Sequence, residues 1–297
     1  MDELQYIVDL FGDADPAVTA AVDNYFTGGG QRALSLLRAE YAAEMVPARK
    51  QLLEKMLVRY NKMLIISALK EMAEGSAAGR ECPLLEAGYL LSALTDATLS
   101  REEYLENVLP IAMSALEEIN ESRTGIENVN LLNHVFYKRY GFSSTGPFEM
   151  TLETSLLMNV VKKKKGSPFA LSLLYFIVAQ VAGLPVYPLC FTGGFVPVYV
   201  ENDKILFNIN VFHQGEIFVE NNISNMVKNQ AASLGVNVDI GEAVVKKDHS
   251  ILVMYLEFLQ MLYSNAGDSV TQMDIEDAIE ALGGKRFLTI ESDEDEW

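Results

Sequence analysis

A run without any charged side chain, residues 166–200, limits the folds open to this chain more than any other feature. Four lysines at 162–165 stand just before it, as basic residues often flank a membrane span. However, Gly183, Pro185 and Pro188 break the run after one ordinary helix, whereas a span needs about 20 continuous helical residues. The pattern therefore predicts a buried helix at 169–182, followed by strands, in preference to a membrane span.

The ends of this helix carry clear signals. Ser167 is a favoured N-cap residue, and Pro168 suits the first helical position. The lysines before it complement the negative end of a preceding helix, predicted at 153–165 with Gly166 as its left-handed stop. A solvated helix end explains the lysines better than a phosphate site.

Strand patterns follow the buried helix at 186–191, 195–200 and 205–211. The Asn202-Asp203 pair between the last two is a turn signal and predicts a hairpin. Helical periodicity dominates the rest of the chain on both sides. The predicted class is α+β and mainly α: an N-terminal helical array, a buried helix packed on a small antiparallel sheet, and C-terminal helices.

Composition excludes several functions. The 41 acidic residues against 23 basic ones give a formal charge of -18, which opposes binding to nucleic acid and to anionic membranes. The acidic N-terminus lacks the positive start of a secretory signal, and two cysteines in apolar contexts indicate a reducing compartment. We expect a cytoplasmic protein without a cofactor. Three scattered histidines and two distant cysteines predict no metal site.

Several local sequences resemble the transglutaminase-like superfamily, and in particular its Sir-B branch, which is named for a bacterial invasion-gene regulator. The order of a buried helix and antiparallel strands agrees with that family. The segments that carry the resemblance include residues 85–94, Asn133 to Phe142, Lys165-Gly166-Ser167-Pro168, Gly183-Leu184-Pro185 and Ile209-Asn210-Val211-Phe212. The resemblance implies a papain-like core at 125–220, between a helical N-terminal region at 1–124 and a C-terminal helical region at 221–290. An acidic tail occupies 291–297.

In active members of the superfamily, a Cys at the start of the buried helix attacks an amide carbonyl, a His acts as base and an Asp orients it. Alignment by the resemblance places these positions at Pro168, Gly194 and Asn210. None of the three residues can perform its chemical role. The resemblance therefore implies the fold and argues against the reaction. It makes the three residues degenerate triad positions that line a candidate cleft.

A rearranged site is the alternative. Cys190 and His213 would be neighbours if strands 186–191 and 205–211 paired, and Ser172 lies one turn along the buried helix. Structural uses explain each residue better: Cys190 as a small apolar residue, Ser172 bonded back to its own helix and His213 in a surface turn. We therefore expect no enzyme, but a pseudoenzyme that binds a protein or peptide and acts in regulation. The alternative is a thiol enzyme acting on amide bonds through Cys190.

Overall fold

The computed structural model describes residues 3–146, 149–191, 194–218 and 244–284, and it has the predicted mainly helical α+β architecture. Helices precede and follow a small antiparallel sheet, and a buried helix packs on that sheet. No helix in these ranges is long and apolar enough to cross a membrane. The acidic tail at 291–297 lies outside the described residues.

The N-terminal region is a helical hairpin with its own apolar cluster. Its helices are α1 (Glu3–Asp9), α2 (Pro16–Ala43) and α3 (Pro47–Ala77). Asp15 caps α2 by accepting a hydrogen bond from the backbone N–H of Ala17, as the Asp-Pro pair predicts. Gly30 has φ 51° and kinks α2, because glycine tolerates a conformation that other residues avoid.

The middle of the chain supplies the helices around the core. They are α4 (Leu84–Thr95), α5 (Arg101–Glu118) and α6 (Gly125–Asn133), and α6 continues into a π-helical segment at His134–Arg139. Such π-helical turns are rare and often lie at functional sites. One of the segments that carry the resemblance, Asn133 to Phe142, therefore contains an unusual backbone.

The predicted helix at 153–165 is two helices, α7 (Leu152–Ser155) and α8 (Leu157–Lys163). The prediction that Gly166 is the left-handed stop was wrong, because Lys164 takes that conformation with φ 59°. Gly166 instead pairs in parallel with Ser144, through strands β1 (Ser143–Ser144) and β2 (Lys165–Gly166). A Cβ on Gly166 would lie 2.6 Å from the Val160 side chain, so close packing is the reason for glycine there.

The four lysines are held by individual contacts. Lys162 pairs with Glu103 at 3.0 Å, Lys163 with Glu153, and Lys165 with Glu149 at 3.3 Å. The Lys164 ammonium lies over the ring of Phe142, 4.7 Å from its centre, as a cation–π pair. These contacts leave no cluster of unpaired cations for a phosphate.

The buried helix is α9 (Pro168–Val181), and every residue from 170 to 179 in it is buried. It packs against α4, α5 and the first strand of the sheet. The sheet strands are β3 (Val186–Phe191), β4 (Gly194–Glu201), β5 (Lys204–Asn210), β6 (Glu216–Phe218) and β7 (Val244–Val245), in the order β6-β5-β4-β3-β7. Asn202 and Asp203 form the predicted hairpin turn between β4 and β5, both with positive φ.

The C-terminal helices α10 (Ser250–Ala266) and α11 (Ser269–Ala281) close the core. One apolar cluster of buried residues extends from Ile65 to Leu282, and a second joins residues between Leu4 and Tyr60. Residues before and after positions 124 and 220 share the larger cluster. The division into regions at those positions stays a prediction.

Candidate functional site

The position that the resemblance assigns to the nucleophile is the first residue of α9. Ser167 caps the helix by accepting a bond from the Ala170 N–H at 3.5 Å, and its own N–H donates to the Thr154 carbonyl at 2.6 Å. Pro168 has neither a nucleophile nor a backbone N–H. The residues at the start of α9 therefore serve to cap and begin the helix, and they offer no thiol nucleophile.

Aromatic side chains pack together next to this helix start. The Phe169 ring stacks on Phe258 of α10 with centres 4.5 Å apart, and it meets the edge of Phe195 at 5.5 Å. Phe195 also contacts Phe176, with ring centres 5.9 Å apart. We call Phe169, Phe176, Phe195 and Phe258 the aromatic block. It occupies the region between α9, the start of β4 and α10.

The positions that the resemblance assigns to the base and to the orienting group also have structural uses. Gly194 begins β4, where an added Cβ would lie 3.3 Å from the Phe191 ring, so a larger residue requires that ring to move. The Asn210 side-chain oxygen accepts bonds from the backbone N–H groups of Phe212 at 3.1 Å and His213 at 3.3 Å. Asn210 is buried, and its oxygen is engaged in closing the turn after β5.

The alternative residues do not come together through strand pairing. β3 pairs with β4 and β7, and β5 pairs with β4 and β6, so the pairing that would bring Cys190 close to His213 is absent among the described strands. His213 is exposed in the turn beside Gln214, as predicted. Ser172 is buried, but its hydroxyl has no hydrogen-bond partner within the described ranges, so the predicted bond to its own helix was wrong.

The electrostatics of the two thiols oppose nucleophilic chemistry. Burial, reinforced by the nearby Asp248 carboxylate, raises the pKa of Cys190 to about 12. Burial likewise raises the pKa of Cys82 to about 12, again with Asp248 contributing. A nucleophilic cysteine requires the opposite shift. Both thiols are free and buried.

No group of three potential metal-ligating side chains occurs in the described ranges. His134 begins the π-helical segment and His249 precedes α10. The Nδ1 atom of His249 is buried without a hydrogen-bond partner, and no other described side chain completes a ligand set around it.

Sequence reasoning missed a hydrogen-bonded network behind Asn210. The hydroxyl of Tyr175 in α9 donates to the Asn133 side chain at 2.8 Å, and Asn133 donates to the Gly215 carbonyl at 2.7 Å. The Tyr137 hydroxyl donates to the Val211 carbonyl at 2.9 Å. Side chains from α6, the π-helical segment and α9 thus hold the turn after β5. In the sequence these residues belong to separate motifs, and nothing there indicates that they contact each other.

Sequence reasoning also missed a groove at the other end of β4. Its cavity of about 600 Å³ lies between the α5–α6 connection, the turn after α9 and the hairpin β4–β5. The stacked rings of Tyr199 and Phe207, with centres 4.8 Å apart, are part of its lining. Pro168, Gly194 and Asn210 do not line this cavity. The residues that form it are distant in sequence and carry no common motif.

Known protein families provide a comparison for this fold. The family model described as the transglutaminase-like superfamily matches residues 102–249, which include α9 and the sheet. Comparison with the curated proteins and with the solved structures found no match to the chain. The matched residues contain the buried helix and the antiparallel sheet, which is consistent with a transglutaminase-like core. The chain therefore contains a transglutaminase-like domain at residues 102–249.

Proposed function

We propose that this protein is a non-catalytic member of the Sir-B branch that binds a protein or peptide in the cytoplasm and acts in regulation. The observation that carries the proposal is the structural use of all three triad positions. Pro168 starts α9, Gly194 lies against the Phe191 ring, and the Asn210 side chain closes a turn. A cysteine protease-like reaction needs a thiolate, a base and an orienting group acting together.

Two further features support the absence of turnover. Phe169, the residue after Pro168, is packed in the aromatic block against Phe195 and Phe258, so the start of α9 serves core packing. The pKa of Cys190, raised to about 12 by burial, keeps this thiol protonated at neutral pH. Both features argue against the rearranged enzyme.

Binding without chemistry can be tested on a library of glutamine-containing peptides. The wild-type protein is incubated with the library and an amine donor, and retained peptides are eluted and identified by mass spectrometry. We expect a retained subset with unchanged masses. An active transglutaminase serves as the positive control for conversion.

The same experiment distinguishes the alternative. Loss of ammonia, amine incorporation or peptide cleavage that disappears in Cys190→Ala would replace the proposal by the rearranged thiol enzyme. Retention of no peptide at all would contradict the binding role.

A further inference from the structure

The groove over Tyr199 and Phe207, which we call the β4–α6 groove, has the size of a ligand site. Ligand pockets generally measure about 300–1,000 Å³, and this cavity of about 600 Å³ falls inside that range. Leu184, Pro185 and Ile126 are apolar residues of its lining. Polar residues, among them Asn120, Asn128 and Glu201, complete the lining, so the groove is apolar in part.

Hydrogen-bond donors without a described acceptor lie close to each other in this groove. Tyr199 is only 6% exposed, and its hydroxyl has no hydrogen-bond partner among the described residues. This hydroxyl lies beside Gly125, since a Cβ there would be 3.0 Å from it. The first helical N–H groups of α6, those of Gly125 and Ile126, also lack a described acceptor, as expected for a helix N-terminus.

The nearby charges decide which acceptor suits these donors. Glu127 already accepts from the Thr124 N–H at 2.8 Å, so a carboxylate is present at the start of α6. Glu121 and Glu201 are exposed on the rim, against one cation among the described lining residues, Arg123, whose guanidinium donates to the Glu118 carbonyl. An anionic ligand would be repelled, because carboxylates outnumber the one described arginine near these donors. A neutral carbonyl group carries no net charge and would not be repelled. A cation next to that carbonyl would be attracted to the rim.

We propose that the β4–α6 groove binds an extended segment of a partner protein in which an apolar residue stands next to Lys or Arg. A backbone carbonyl of the segment accepts from the Tyr199 hydroxyl and the Gly125 N–H. The apolar side chain packs on Ile126 and Leu206, which line the groove and are 42% and 41% exposed, and the basic side chain reaches Glu201. This inference rests on the proposed binding function and names its site and the chemistry of its ligand.

The test uses three fluorescein-labelled peptides that are acetylated and amidated at their ends, so that no terminal carboxylate is present. Each has the sequence Gly-Ser-Ala-Leu-X-Ala-Ser-Gly, with Lys, Gln or Glu at X. Their dissociation constants are measured by fluorescence anisotropy with wild type, Tyr199→Phe, Glu201→Gln and Gly125→Ala. Tyr187→Phe and Glu216→Gln are matched controls, because neither residue lines the groove.

We expect the Lys peptide to bind most tightly and the Glu peptide most weakly. Tyr199→Phe should weaken all three by about fivefold, the effect of one ordinary hydrogen bond. Glu201→Gln should reduce only the preference for Lys over Gln. Gly125→Ala should abolish binding, since its Cβ would lie 2.6 Å from the Tyr199 ring. Both controls should match wild type.

Wild-type affinity in Tyr199→Phe would overturn the inference even if Gly125→Ala failed to fold, because Tyr199→Phe keeps the ring. Equal affinity for the Glu and Lys peptides would overturn the charge assignment, and no binding of any probe would overturn the site. Wild-type affinity in all three groove variants would show that the peptides bind elsewhere. That result would overturn the site but would not contradict the proposed function. Recovery of chemically altered peptides would instead remove the proposed function.

Discussion

The side-chain amide of Asn133 donates a hydrogen bond to the backbone oxygen of Gly215 at 2.7 Å. Through this bond, the end of α6 holds the turn that follows β5. The Asn133 side chain also accepts from Tyr175 in α9, so one residue ties three parts of the core together. Gly215 has φ 75°, and a Cβ there would lie 1.9 Å from the Asn133 side-chain oxygen.

Gly215→Ala should therefore lower the free energy of unfolding by more than backbone strain alone would lower it. Loss of the left-handed freedom of glycine costs about 1–2 kcal/mol, and each displaced hydrogen bond adds about 1 kcal/mol. Gly267→Ala is the matched control, because Gly267 has the same φ of 75° and a Cβ added there would meet no atom within 4 Å. Urea denaturation of both variants measures the difference. Equal losses would show that the Asn133 contact does not limit position 215.

Leu173→Ala should lower the free energy of unfolding by about 2–5 kcal/mol, the range for large-to-small core substitutions. Leu173 is fully buried in α9. Leu206→Ala is the surface control, because Leu206 is 41% exposed. Thermal or urea unfolding checks the pair, and wild-type stability in Leu173→Ala would refute the burial of α9.

The sequence patterns predicted α9 and the hairpin β4–β5 well, because their signals are local. Pro168 and Gly183 mark the ends of one continuous apolar helix, and two turn residues separate the strands. The left-handed residue at Lys164 was missed, because its cause lies elsewhere in the chain: the pairing of Gly166 with Ser144 and the ring of Phe142 under the ammonium. The preference for glycine at the left-handed end of a helix is a local rule, and it does not include contacts with residues elsewhere in the chain.

The β4–α6 groove was not predictable for a similar reason. Two of its lining residues, Tyr199 and Phe207, have the pattern of ordinary strand residues in the sequence. Its walls come from the α5–α6 connection and from Pro185, whose pattern in the sequence indicates only the end of a helix. Only the folded chain places Gly125 against Tyr199.

Both thiols should resist alkylation in the native protein at pH 8. Burial raises the pKa of Cys82 and of Cys190 to about 12, so thiolate is scarce at that pH. Iodoacetamide labelling followed by peptide mass spectrometry measures each site, and the urea-unfolded protein is the control. Rapid labelling of native Cys190 with a midpoint near pH 7 would revive the enzyme hypothesis.

The same shifts predict a loss of stability in alkali. The folded thiol pKa values lie above the unfolded value of about 8.5, so the stabilising contribution is intact below that pH and declines as the pH rises towards 12. The urea midpoint should therefore be lower at pH 10 than at pH 8. An unchanged midpoint in that interval would contradict the burial of the two thiols.

Restoring single triad residues should not create an enzyme. Pro168→Cys places a thiol at the start of α9, where the helix dipole favours thiolate, so it should react with iodoacetamide faster than Cys190. It should still not convert glutamine-containing peptides, since position 194 supplies no general acid to protonate the leaving nitrogen. Wild type, Pro168→Cys and the triple variant Pro168→Cys, Gly194→His, Asn210→Asp are compared by mass spectrometry. Turnover by Pro168→Cys alone would contradict this account of the three positions.

The position of α10 has a consequence for the order in which the protein can assemble during translation. Phe258 of α10 stacks on Phe169 of α9, and α9 is the most apolar of the described helices. However, α10 is synthesised well after α9. Elongation proceeds at about 5–20 residues per second, so the nascent chain exposes the α9 surface for several seconds before α10 leaves the ribosome. Strand β7, which lies beside β3 in the sheet, also arrives late. Ribosome-bound chains that stop before residue 250 are therefore the forms of this protein with the greatest need of a chaperone.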